Sequence, residues 1–169
     1  MGVKTRAFLK NGNRDFNNIL DSFENQEVKL LSTGADQQLT ADDSGKLIVF
    51  NAAAATLVIL PEPVLGMTFN FVTAITATGD HEIRAKNDAH GFIGGLSIVS
   101  TTAAKADHFP AAANGEDDFI TMNGGTTGGA AGSFVKCVAV LGASAAGSWV
   151  VSGVLGGVGS TMATPFATS

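Results

Sequence analysis

The stretch Gly66-Met-Thr-Phe-Asn-Phe-Val72 alternates without a break, with Met67, Phe69 and Phe71 on one side and Thr68 and Asn70 on the other. A period of two sends successive side chains to opposite faces of a strand, so this segment is expected to be a half-buried β-strand. Turn signals recur at short intervals around it. Asp42-Asp-Ser-Gly45 separates Gln38-Leu-Thr40 from the apolar run Lys46–Asn51. Thr56–Leu60 stops at Pro61 and Pro63, which cannot continue a central strand. Further strand-like runs fall at His81–Arg84, Ile93–Val99, Asp118–Met122, Phe134–Leu141 and Ser148–Val154. Such a chain is expected to be mainly β, a compact antiparallel β sandwich or barrel.

Three parts are expected. Residues 1–36 form an N-terminal arm, 37–156 the β domain and 157–169 a loose C-terminal tail. In the arm, Phe16, Ile19, Leu20 and Phe23 recur at i, i+3, i+4 and i+7, one stripe of a short amphipathic helix. So short a helix is not stable alone in water, and its stripe needs a surface to pack on. Residues 100–115, with Pro110 and Asn114-Gly115, read as an exposed loop.

Phe134–Leu141 is apolar on both sides. Phe134, Val138 and Val140 lie on one, Val135, Cys137, Ala139 and Leu141 on the other, and only Lys136 interrupts. A strand of that kind is buried on two sides, in a sandwich or at a subunit interface. Charged residues make up 15% of the chain, well under the usual share of about 25%, which implies that part of the surface is covered by neighbouring molecules.

The charge is also unevenly placed. Lys4, Arg6, Lys10 and Arg14 give the first fourteen residues +4, while the remainder of a chain of net charge −5 stands at −9. A basic arm fits docking on an acidic protein surface, an ordinary solvated terminus, or contact with nucleic acid, in that order of preference, because the β domain itself is acidic. The uncharged span Cys137–Gly159 is long enough to cross a bilayer. Six glycines interrupt it, and two Val-rich strands joined at Gly142–Gly147 explain it better.

No arrangement of residues announces catalysis or metal binding. His81, His90 and His108 lack the spacing that sets two imidazoles on one helical face, and His81 and His108 read as polar turn residues. Asp42-Asp43 reads as a solvated turn, and Glu116-Asp117-Asp118 as the start of a strand, since neither has the alternating oxygens of a calcium loop. Asn123–Gly132 is glycine-rich but lacks the lysine of a phosphate cradle, and reads as a flexible hairpin loop. Cys137 reads as a buried small hydrophobe and Trp149 as core. No enzyme activity, cofactor or metal is expected.

Three strings together carry a family likeness: Leu39-Thr-Ala-Asp-Asp-Ser-Gly-Lys-Leu-Ile-Val-Phe-Asn-Ala-Ala54, Thr56-Leu-Val-Ile-Leu-Pro61 and Gly66–Val72. Near the other end, Phe134–Val138 precedes Gly147-Ser-Trp-Val-Val-Ser-Gly153. The span Leu39–Gly153 resembles small structural proteins of tailed bacteriophages, from which the absence of Tyr is a departure. The resemblance implies a virion component, first a capsid decoration (cement) protein on the outside of the head. Such a protein works as a homo-oligomer, expected to be a trimer, and stabilises contacts between capsomers. Its partners are then the major capsid protein and further copies of itself, with no nucleic acid and no membrane. Its place is the outer surface of the capsid, and the host cytoplasm during assembly. On this reading Lys4, Arg6, Lys10, Arg14, Phe16, Ile19, Leu20 and Phe23 make the capsid contact. The alternative is a domain of a head or tail fibre that binds a host-surface receptor, for which Phe92 and Phe109 are the candidate loop aromatics.

Overall fold

The computed structural model describes residues 26–31, 36–140 and 148–168. Twelve strands lie in two mixed sheets packed face to face, a β sandwich. They are β1 Val28–Leu31, β2 Gln37–Gln38, β3 Leu47–Phe50, β4 Thr56–Ile59, β5 Thr68–Thr73, β6 His81–Arg84, β7 Phe92–Ser100, β8 Ala106–Pro110, β9 Phe119–Met122, β10 Phe134–Ala139, β11 Trp149–Gly157 and β12 Phe166–Ala167. The larger sheet runs β1-β3-β5-β10-β11-β7-β8 and the smaller β12-β9-β6-β4-β2.

The sandwich is as expected, but the strand directions are not all antiparallel. From β1 to β6 the chain alternates between the sheets, and neighbours within each sheet run parallel: β1 on β3 on β5, and β2 on β4 on β6. Val28, Leu47 and Asn70 share one column, and Gln37, Val58 and Ile83 share another. The first half is therefore a coil that climbs one strand per sheet in each turn of about 20 residues. Turn residues between apolar runs permit this as readily as hairpins, because a turn signal marks where a strand ends and not which sheet the next one joins. The antiparallel pair β10–β11 then lies between β5 and β7 in the larger sheet. These two strands, with the undescribed residues 141–147 between them, account for the long uncharged span.

Between the sheets lie the inward residues of both. Ile48, Phe50, Phe69, Phe71, Leu96, Ile98, Val135, Cys137, Trp149 and Leu155 face Val58, Leu60, Ile83, Ile120 and Met122, all essentially without solvent exposure. Phe69 and Trp149 meet with ring centroids 5.8 Å apart, so Trp149 is core as expected.

Four further local readings need correction. Val28–Leu31, assigned to the arm, is the edge strand of the larger sheet. The expected loop at 100–115 contains β8, antiparallel to β7. Its Pro110 is tolerated because an edge strand has no partner on one side for the missing N–H. The tail is docked: Phe166 pairs with Ile120 and is buried, Met162 packs against the core, and the Thr121 amide donates to the Pro165 carbonyl. Two apolar side chains in an otherwise small-residue stretch are enough to seat it on the open edge of β9. Finally, Asn123–Gly132 is no hairpin but a crossover from the smaller sheet to the larger. Asn123 Oδ1 accepts from the Gly125 and Thr127 amides at 2.8 and 3.1 Å, which pins the loop in place.

Candidate interaction surface

Strand pairing brings residues from the whole length of the chain onto the outer face of the larger sheet. Across it, Leu30, Val49, Val72, Phe134 and Val154 form one row. Leu30 is 61% exposed, Val154 52% and Phe134 37%, while Val49 and Val72 are half-buried. A second apolar row, Val138, Val150 and Ile93, extends from Thr68. Between the two runs Val28-Leu47-Asn70-Lys136-Ser152, so that the polar groups sit side by side at the centre. From β1 to β7, Lys136 is the only ionisable side chain at these outward positions. The smaller sheet differs: its outer positions include Glu82 and Arg84, with the Arg84 guanidinium 3.8 Å from the centre of the Phe119 ring.

This arrangement explains why β10 is apolar on both sides. Val135, Cys137 and Ala139 enter the core, whereas Phe134 and Val138 lie on the outer face. Within one chain the strand is buried on one side only, which corrects the expectation that the sandwich itself covers both sides and leaves the expected alternative, a subunit interface. Sequence reading found the doubly apolar strand but not the row it belongs to. Leu30, Val49, Val72 and Val154 join Phe134 only once the register is known, and single-strand patterns do not contain it.

The turn that opens the coil holds the edge of this face. Thr40 caps a short 3-10 turn at Ala41–Asp43, and the Asp43 carboxylate accepts from the Thr40 amide at 3.1 Å and the Thr40 hydroxyl at 3.3 Å. Lys29 Nζ of β1 donates to it at 2.7 Å and Lys46 Nζ at 3.2 Å. Burial pushes the Asp43 carboxyl up, but the bonds from Lys29, Thr40 and Lys46 outweigh it and hold the pKa at about 2. Ser44 Oγ accepts from the Thr68 amide at 3.1 Å, and Gly45 takes φ +88°. The Leu39–Lys46 motif is thus a clasp that fastens β1 and β5 to the turn. Of the two acids read as a solvated turn, Asp43 is buried.

The other chemistry-bearing residues do not converge. His81 is a core residue and not a turn residue; it is stacked on Phe50 at 4.6 Å, and burial lowers its pKa. His90, also buried, reaches Glu62 at 3.3 Å. His108 lies in β8, where its Nδ1 is 3.1 Å from Ser97 Oγ at the rim of the outer face. Its neighbour Asp107 points to the opposite side of the strand and pairs with Lys105 at 3.0 Å, so it does not orient the ring. Cys137 is buried, and desolvation drives its thiol far above the usual range, which keeps it unreactive. No group of three or more His, Cys, Asp or Glu able to hold a metal occurs among the described residues, and none of their helices is long and apolar enough to cross a membrane. The expected capsid-contact residues Lys4, Arg6, Lys10, Arg14, Phe16, Ile19, Leu20 and Phe23 all lie outside the described residues. No protein-family model matches this chain, and no curated protein matches it.

Proposed function

We propose that this chain is a virion structural protein, a decoration protein that binds the outside of a tailed-phage head as an oligomer and stabilises the contacts between capsomers. The observation that carries the reading is the broad outer face of the larger sheet, with Lys136 as its only ionisable group from β1 to β7. Soluble single chains seldom leave two exposed apolar rows on a face so poor in charge, and a companion molecule is the ordinary reason for one. The resemblance of Leu39–Gly153 to phage structural proteins supplies the setting. Many weak, repeated contacts with a shell stabilise it by mass action and multivalency, without any catalytic group.

The test is co-sedimentation with undecorated heads. The full chain pellets with heads, and a chain lacking residues 1–24 does not, although its β domain keeps its circular dichroism. Heads left bare by the full chain would sink the reading, and normal decoration by the truncated chain would sink the role given to the arm. The fibre-domain alternative is less well supported, because Phe92, one of its two candidate loop aromatics, is buried in β7 and Phe109 packs against the core.

A further inference from the structure

We infer that the outer face of the larger sheet is covered by a second copy of this chain, so that contact with the particle is made elsewhere. The inference rests on the decoration reading and divides its surfaces between two partners. Charge selects the occupant. Outside its first fourteen residues the chain stands at −9, so most ways of bringing two copies together set acids against acids. The outer face avoids this: its outward positions from β1 to β7 carry no acid, and the central Asn70, Lys136 and Ser152 offer donors and neutral acceptors to one another across a contact. The chain's own arm is the rival occupant, and a face covered by it would leave the full chain at 17.1 kDa.

The area is adequate. The six strands from β1 to β7, about 4.8 Å apart and with about three outward residues about 7 Å apart along each, give roughly 600 Å² in projection. Side-chain relief brings the accessible surface close to the ~800 Å² per partner of a stable interface. Leu30 and Val154, the most exposed members of the long row, lie at opposite ends of it, so the contact runs from β1 to β11.

Sedimentation equilibrium of the full chain, without heads, tests the inference. The expected mass is a multiple of 17.1 kDa, falling to 17.1 kDa for Val154→Asp and for Ser152→Arg, both at outward-facing positions, with circular dichroism unchanged. Leu65→Asp, at an exposed apolar residue off this face, leaves the mass as it was. A second measurement does not depend on the folding of those variants. Because Cys137 is buried, a thiol placed by Ser152→Cys reports alone, and its reaction with a maleimide should slow at least tenfold on assembly. A 17.1 kDa wild-type chain at all concentrations, assembly that survives both charged variants, or a labelling rate independent of concentration overturns the inference. A chain that assembles through this face yet leaves heads bare keeps the inference and sinks the decoration reading.

Discussion

Replacing Asp43 by Asn tests the clasp quantitatively. The substitution keeps a side-chain oxygen for the Thr40 amide but removes the charge that Lys29 and Lys46 address at 2.7 and 3.2 Å. A carboxyl whose pKa falls from 3.8 unfolded to about 2 folded contributes about 2 kcal/mol, at about 1.4 kcal/mol per tenfold change in proton affinity. Because the folded value is the lower one, the contribution is complete above the unfolded value and is lost as pH falls from 3.8 towards 2. Both lysines are partly exposed and are rehydrated in the variant, so they add little further penalty. Urea denaturation at fixed protein concentration should give D43N about 2 kcal/mol less stability than wild type at pH 7, or a melting temperature lower by about 4–8 °C for a chain of this size. The gap should shrink to roughly a few tenths of a kcal/mol at pH 2, the folded value itself, and vanish below it. Equal stabilities at pH 7, or a gap of the same size at pH 2, would show that the lysines do not hold a buried carboxylate and that the clasp is a surface contact.

Two other perturbations test the core and the sheet. Burial disfavours the charged form of His81, so its folded pKa lies below 6.5, and its neutrality becomes a liability as pH falls through 6.5, where the unfolded imidazole takes up a proton first. Melting temperature should therefore drop between pH 7.5 and 5.5 by more in wild type than in His81→Leu, and parallel curves would refute the assignment. Gly94 takes φ +102°, and an added Cβ would collide with the Val151 carbonyl oxygen across the β7–β11 ladder. Gly94→Ala should cost at least about 1–2 kcal/mol in urea denaturation, whereas Gly132→Ala, with a similar φ but open space, should cost less.

The alternation at Gly66–Val72 identified β5 because one strand half-buried in one sheet carries its whole pattern locally. The ends of β3, β4, β6 and β9 were legible for the same reason, from Gly45, Pro61 and the apolar runs between turns. What stayed hidden depends on residues far apart in the chain. Asp43 looks like any turn acid until Lys29, fourteen positions earlier, is brought beside it by parallel pairing. His81 follows Asp80 and so resembles a turn, but it sits opposite Phe50 in the core. β8 was masked by its own Pro110, a residue that excludes a central strand and permits an edge one.

The order in which the strands join also bears on when the outer face comes into existence. Leu30, Val49 and Val72 belong to the coil, whose turns pair with neighbours about 20 residues away, but Phe134 and Val154 arrive with β10 and β11. Those two strands complete the long row, and they add Lys136, Ser152, Val138 and Val150 to the face. Pairings between distant segments cost more loop entropy than pairings between near ones, so β10–β11 is expected to dock after the coil has formed. A chain that has not finished folding therefore presents only part of the apolar row and lacks the lysine at the centre of the face. Under the proposed self-association, copies recognise one another only when the sandwich is closed, which confines assembly to native chains without a separate regulatory element.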